Sequence, residues 1–153
     1  MMIYYFAYGS NMDSSRMARM YPSARASGIG ILFDYRFIIN QRGFATVVPG
    51  TGKKVYGVLW ALSEGDLLHL DEYEDVAGGL YSRVPVKVTL MRGAVSNAFV
   101  YIAANDRPGS PRSQYLEAIV AAATRHGFPE PYINELRTWL AEKQIGGVSS
   151  QKA

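Results

Sequence analysis

The chain has 153 residues, which suits one domain with one sizeable hydrophobic core. It contains no cysteine and only two histidines, which excludes a disulfide framework, a thiolate nucleophile and a cysteine- or histidine-rich metal centre. Its net charge of +3 comes from basic residues spread along the chain rather than from the clustered basic surface that nucleic-acid binding needs.

The ends of the chain carry no recognisable targeting signal. The run from Met1 to Phe6 lacks a basic start and meets the turn residues that follow too early for a signal peptide. No apolar run is long enough to span a bilayer. We therefore expect a cytoplasmic protein that binds neither membrane nor nucleic acid, with one domain over residues 1–144 and a disordered polar tail over 145–153.

The first predicted elements surround a turn near the N-terminus. Ile3–Ala7 is aromatic and apolar on both faces, which predicts a central strand. A short helix is predicted over Asp13–Met20, capped near Asn11 or Asp13. The next predicted elements are four strands with a turn before the last: Ile29–Phe33, Tyr35–Asn40, Ala45–Val48, the turn Gly52-Lys53-Lys54, and Val55–Ala61.

The second half of the chain begins with a capping-box pattern at Ser63–Asp66, which predicts a short helix. The remaining predicted elements are a hairpin of Val84–Leu90 and Ser96–Ile102 about Arg92-Gly93, then helices over Gln114–Arg125 and Pro131–Glu142. Strands dominate the first two thirds and helices the last third. This order predicts an α+β fold, with a mixed or barrel-like sheet and helices packed outside it.

The turn Tyr8-Gly9-Ser10-Asn11 is the first candidate site. Gly9 has no Cβ to block a ligand, and successive amides beside a helix N-terminus can point together at an anion or a developing oxyanion. An ordinary strand-to-helix turn, in which Ser10 or Asn11 only caps the helix, explains the same residues.

The run Asp71-Glu72-Tyr73-Glu74-Asp75 is the second candidate site. Four acids crowd the negative end of a helix, where mutual repulsion is expected to raise the pKa of any partly buried carboxyl group. We expect Glu72 and Asp75 to be solvated, and a carboxylate held in a pocket here to act as a general base.

Tyrosines and histidines give weaker signals. Tyr81, Tyr101 and Tyr115 fall at the ends of predicted elements, where they either reach a pocket mouth or pack in the core. His69 suits a surface position, and His126 suits a helix C-terminus.

Taken in order, these motifs resemble the γ-glutamylcyclotransferase-like superfamily, which includes AIG2-like proteins. No single motif is specific, but the ordered set is. The residues that carry the resemblance are Phe6-Ala7-Tyr8-Gly9-Ser10-Asn11-Met12, Ala45-Thr46-Val47-Val48-Pro49-Gly50, Val55-Tyr56-Gly57-Val58-Leu59-Trp60, Leu70-Asp71-Glu72-Tyr73-Glu74, Gly79-Leu80-Tyr81, Val100-Tyr101 and Ser110-Pro111-Arg112-Ser113-Gln114-Tyr115.

The resemblance implies a small β-barrel-like core with flanking helices and a single ligand cavity. It assigns acid–base catalysis to Glu74 and no task to a cofactor or metal. Many relatives have glycine after this glutamate, whereas Asp75 stands here and is expected to raise the pKa of Glu74 or to alter the acceptor side of the pocket. The implied substrate-binding residues are Tyr8, Gly9, Ser10, Asn11, Tyr81, Tyr101 and Tyr115.

The implied reaction is attack of a γ-glutamyl substrate's own α-amine on its γ-carbonyl, which releases 5-oxoproline and an amine or amino acid. Because the substrate supplies the nucleophile, the absence of cysteine and of a visible triad fits this chemistry. The alternatives are a same-fold enzyme that deprotects γ-glutamylamines or biosynthetic intermediates, a non-catalytic domain that binds a small metabolite, and a plain interaction protein. The sequence leaves open the leaving group, the pathway and the oligomeric state, a homodimer included.

Overall fold

The computed structural model describes the backbone of residues 2–146 and the side chains of residues 2–140. The strands are β1 (Ile3–Ala7), β2 (Arg25–Ile39), β3 (Ala45–Leu62), β4 (Tyr81–Leu90) and β5 (Val95–Ala103). The helices are α1 (Ser14–Met20), α2 (Glu64–Tyr73), α3 (Tyr115–Arg125) and α4 (Glu130–Gly146), with a 3₁₀ turn at Ser10–Met12. From residue 147 onward the predicted tail lies outside the described residues, and its first two residues are the end of α4.

The five strands form a closed barrel in the order β1-β3-β2-β4-β5. Neighbouring strands are antiparallel except β1 and β5, which are parallel and paired through Tyr5 and Phe99. The barrel is therefore mixed. The prediction of an α+β fold with a barrel-like mixed sheet is confirmed, as is the central position of β1.

The β2–β3 hairpin differs from the prediction of four short strands. Both strands are continuous, and the residues predicted as turns form a bulge. At this bulge Tyr35 pairs with Pro49, and the next pair along the hairpin is Phe33 with Lys54. Asp34 adopts a positive φ of 67° opposite this bulge, and its carboxylate accepts a hydrogen bond from the Gly52 amide at 3.0 Å. The prediction of separate strands was wrong because a bulge bends a ladder without ending it.

Gly57 on β3 lets β1 approach closely. A Cβ at this position would lie 2.4 Å from the Ala7 carbonyl oxygen and 2.7 Å from the Phe6 ring. Phe6 is fully buried in the barrel. The close approach fixes the end of β1, from which the candidate site begins.

Helix α3 covers the outside of the barrel beside this end. Its buried residues are Leu116, Ile119, Ala122 and Ala123, which recur at the spacing of one helical face. After its end, the His126 Nε2 donates a hydrogen bond to the Met12 carbonyl at 2.7 Å, which ties the helix to the 3₁₀ turn. Of the helices that the structure describes, none has the length and apolarity that crossing a bilayer requires.

Candidate active site

The chain bends between the end of β1 and the start of α1. The Gly9 carbonyl accepts from the Met12 amide at 3.0 Å, and the Ser10 carbonyl accepts from the Asp13 amide at 3.2 Å. Among the residues that the structure describes, the amides of Gly9, Ser10 and Asn11 donate to no protein acceptor. Three neighbouring donors are thus available to a ligand.

The N-terminus of α1 is not part of this donor set, because Asp13 caps it. The Asp13 carboxylate accepts from the amides of Ser15 at 3.0 Å and Arg16 at 3.3 Å. Of the two caps that the sequence allowed, the structure selects Asp13. An anion at the bend would therefore meet only the amides of residues 9–11.

Asn11 holds the bend in place through its side chain and its carbonyl. Its side-chain amide donates to the Tyr5 hydroxyl at 3.0 Å and accepts from Arg16 Nε at 2.9 Å. Its backbone carbonyl accepts from the Trp60 indole at 3.0 Å. Because Asn11 is buried and its side chain is occupied in this way, the group it offers to a ligand is its backbone amide.

Glu74 lies at the C-terminal end of α2, on the wall of the same cavity as the bend at residues 9–11. The helix begins at a capping box of Ser63 and Asp66, as predicted, and Glu74 is its C-cap residue. Asp75 then turns the chain with a positive φ of 54°. Glycine adopts this conformation most easily, and aspartate is among the residues that tolerate it.

Burial raises the pKa of Glu74 to about 7, and the positive charge of Arg16 acts in the opposite direction. The expected causes, repulsion between neighbouring acids and the charge of Asp75, are not the ones found. Glu72 and Asp75 are exposed, as predicted, and the Asp75 carboxylate lies against Gly78. A half-buried carboxyl group with a pKa near neutrality can both accept and return a proton.

Ala45, the first residue of β3, holds two of the predicted tyrosines through its backbone. Its amide donates to the Tyr115 hydroxyl at 3.0 Å, and its carbonyl accepts from the Tyr81 hydroxyl at 2.9 Å. These bonds join α3 and β4 to one point on the barrel. The local sequence gives no signal for this role, because both bonds are long-range.

The other two tyrosines are joined through β5. The Tyr8 hydroxyl donates to the Tyr101 carbonyl at 2.5 Å, and the Tyr101 hydroxyl donates to Asp71 at 2.7 Å. Asp71 also forms a salt bridge with Arg83 at 3.0 Å. Asp71 is therefore engaged in orienting Tyr101, and Glu74 is left as the acid of this run that faces the cavity.

Burial raises the pKa of each of these phenols above its usual value. The tyrosines concerned are Tyr5, Tyr8, Tyr81, Tyr101 and Tyr115. They are therefore neutral at physiological pH, and the cavity wall carries hydroxyl groups without carrying charge.

These groups surround a cavity of about 270 Å³. The structure brings together on its wall every site residue that the sequence predicted: Tyr8, Gly9, Ser10, Asn11, Glu74, Tyr81, Tyr101 and Tyr115. Sequence reasoning missed five more lining residues: Tyr5, Phe44, Ala45, Tyr73 and Leu80. Ala45, Tyr73 and Leu80 belong to the motifs that carry the family resemblance, which is the signal that could have found them.

Space alone does not require glycine at position 9. A Cβ there would lie 3.6 Å from the Ala45 Cβ and 3.7 Å from the Tyr115 hydroxyl, which are ordinary contacts. The added methyl group would instead occupy part of the cavity wall beside Tyr115.

A second, larger groove of about 520 Å³ lies between α4 and the β2–β3 bulge. Its wall includes Arg36, Lys53 and Lys54 but none of the predicted site residues. Among the side chains of residues 2–140, no group of three or more His, Asp or Glu is arranged to hold a metal ion. The smaller cavity, in contrast, is lined by Glu74 together with the bend at residues 9–11.

A half-buried carboxyl group that shares a cavity with unpaired amides is the arrangement of an enzyme that moves protons and stabilises an oxyanion. The sequence model of the AIG2-like family matches residues 54–136, more than half of the chain. The chain is 30% identical to a γ-glutamylcyclotransferase from Homo sapiens and 29% identical to one from Mus musculus, over 96% of this chain and 84% of each relative.

Comparison with solved structures supports the same similarity to γ-glutamylcyclotransferases. A solved structure described as a γ-glutamyl cyclotransferase matches with a TM-score of 0.82 at 30% identity, over 90% of this chain and 87% of that one. The chain belongs to the AIG2-like family, and within it to the γ-glutamylcyclotransferases. It is an enzyme of the cyclotransferase class.

Proposed function

We propose that the protein converts γ-glutamyl compounds to 5-oxoproline, with Glu74 as the acid–base residue and the bend at residues 9–11 as the oxyanion site. One observation carries the proposal: the half-buried Glu74 and the amides of Gly9 and Ser10 line the same small cavity. A cavity of about 270 Å³ suits a small ligand arm held in a folded conformation.

The first step is removal of a proton from the substrate's α-amine. Ionised Glu74 accepts this proton, and a pKa of about 7 leaves it partly ionised at neutral pH. The free amine then attacks the γ-carbonyl carbon of the same molecule, and a carbon–nitrogen bond closes a five-membered ring. Because both reacting groups belong to one bound arm, much of the acceleration comes from holding them together.

The second step is stabilisation of the tetrahedral oxyanion. The amides of Gly9, Ser10 and Asn11 donate to no acceptor in the described part of the chain, so they are available as preorganised donors at the oxygen where negative charge develops. Asn11 is fixed by its bonds to Tyr5, Arg16 and Trp60, which keeps this part of the bend from reorganising during the reaction.

The third step is cleavage of the original amide bond. Protonated Glu74 returns its proton to the departing nitrogen, and the bond between that nitrogen and the former γ-carbonyl carbon breaks as the oxyanion forms a carbonyl again. The ring nitrogen gives up its remaining extra proton to the released amine, which leaves as an ammonium group. The products are 5-oxoproline and an amine or amino acid, and Glu74 is ionised again. No redox change and no co-substrate are involved.

The test measures 5-oxoproline by mass spectrometry after incubation with a panel of γ-glutamyl amino acids and γ-glutamylamines. We expect turnover by the wild type and a loss of at least about 100-fold in kcat for Glu74→Gln. Glu72→Gln is the matched control, because Glu72 is on the same helix and exposed.

Two results would contradict the proposal. A Glu74→Gln variant with the kcat of the control would remove the assigned role of Glu74. Binding of γ-glutamyl compounds without any release of 5-oxoproline would instead indicate a domain that binds a metabolite and does no chemistry.

A further inference from the structure

Arg16, in the first turn of α1, contacts both halves of the cavity from behind its wall. Its Nε donates to the Asn11 side-chain oxygen at 2.9 Å. Its guanidinium carbon lies 5.2 Å from the centroid of the Tyr73 ring, a cation–π distance. Arg16 is half-buried and does not itself line the cavity, whereas both of its partners do.

The two partners belong to the two functional segments. Asn11 is the last residue of the bend that offers amides, and Tyr73 directly precedes Glu74 at the end of α2. These segments are far apart in sequence, and Arg16 contacts both of them. A single side chain therefore couples the position of the oxyanion donors to the position of the carboxyl group.

We infer that Arg16 is a positioning residue, which joins the bend at residues 9–11 to the Tyr73–Glu74 end of α2 and holds a fixed positive charge behind the wall of the cavity that Glu74 lines. The inference rests on the proposed function of Glu74, although its central claim concerns the proton affinity of that side chain and can be measured without turnover.

The other groups around Glu74 cannot supply such a charge. Asp71, the neighbouring acid of α2, is paired with Arg83 and with the Tyr101 hydroxyl. The remaining titratable side chains that face Glu74 or its cavity from the surrounding elements are phenols, which carry no positive charge: Tyr5, Tyr8, Tyr21, Tyr73, Tyr81, Tyr101 and Tyr115. Among the described residues, Arg16 is the cation that lowers the pKa of Glu74 against the effect of burial.

The experiment compares four variants. Arg16→Gln removes the charge, Arg16→Met removes it but keeps an unbranched stem over Tyr73, and Arg16→Lys keeps the charge. Arg19→Gln is the matched control, because it removes one charge from an exposed position on the same helix, where Arg19 donates a hydrogen bond to the Ser15 carbonyl at 3.4 Å.

The first readout is the titration of the Glu74 carboxyl carbon by NMR in protein labelled with ¹³C at glutamate, with the resonance assigned from Glu74→Gln. We expect the Glu74 midpoint to rise by about one pH unit in Arg16→Gln and Arg16→Met, as for loss of a nearby opposite charge. Arg16→Lys should restore most of this change, and Arg19→Gln should leave the midpoint where it is.

The second readout is the pH profile of kcat/KM. Its acid limb should move in the same direction, so that activity on the acid side falls about tenfold in Arg16→Gln and recovers in Arg16→Lys. A Glu74 midpoint in Arg16→Gln or Arg16→Met equal to that of Arg19→Gln would overturn the inference. If the wild type released no 5-oxoproline, the proposed reaction would fail, and the NMR titration would still decide the effect of Arg16 on Glu74.

Discussion

The raised pKa of Glu74 predicts a pH dependence of stability that is separate from its proposed role in turnover. Its pKa is raised from 4.5 to about 7 in the folded protein, so the folded state holds the proton more tightly than the unfolded chain does. The stability that the protonated Glu74 contributes to the wild type is therefore fully present below about pH 4.5. It is lost as the pH rises through about 7, so the free energy of unfolding falls over this range. At 1.36 kcal/mol per pH unit, the total loss is about 3 kcal/mol.

Glu74→Gln removes the ionisable group but keeps the shape of the side chain. We expect its free energy of unfolding to be close to that of the wild type near pH 4.5 and about 3 kcal/mol higher near pH 8.5. Urea denaturation at several pH values measures this difference, which corresponds to a shift of about 1 to 2 M in the midpoint. The variant that is least active should thus be the more stable one at alkaline pH.

Glu72→Gln is again the control, because Glu72 is exposed and its removal should change stability little at any pH. The reasoning would be refuted if the difference between Glu74→Gln and the wild type were independent of pH. That result would mean that burial does not oppose ionisation of Glu74, and the proposed acid–base role would lose its physical basis.

Two further predictions concern the framework of the site. Tyr115→Phe leaves the amide of Ala45 without its acceptor, so we expect a loss of about 1 to 3 kcal/mol in urea denaturation; an unchanged midpoint would contradict this. Gly57→Ala places a Cβ 2.4 Å from a carbonyl oxygen of β1, so we expect a destabilisation of at least about 2 kcal/mol or failure to fold. Gly65→Ala, with only one atom at 3.9 Å, is its control and should be neutral or stabilising in thermal melts, and equal melting temperatures for the two variants would refute the packing argument.

Much of the candidate site was predictable because its residues follow local signals. The bend at residues 8–11 directly follows a buried strand, and Glu74 ends a helix whose start is marked by a capping box. Strand ends and helix ends are places where side chains reach a cavity. The same local rules narrowed the cap of α1 to Asn11 or Asp13, and the structure selects Asp13.

Other parts of the site were not predictable from local sequence. Ala45 holds Tyr81 and Tyr115 through backbone groups, and backbone groups carry no sequence signal. Arg16 acts on Asn11 and on the end of α2 only because the barrel brings α1 and α2 together.

By itself, the sequence determined the class of fold, the position of most elements and the residue types available for chemistry, because periodicity, capping and turn chemistry are properties of neighbouring residues. The tertiary structure alone decided that β2 and β3 are continuous across a bulge, and that the pKa of Glu74 is raised by burial rather than by repulsion from Asp75. The strand pairing and the pKa both depend on residues that are distant in sequence. Water is excluded from around the Glu74 carboxyl group only in the folded protein, so no local pattern reports it.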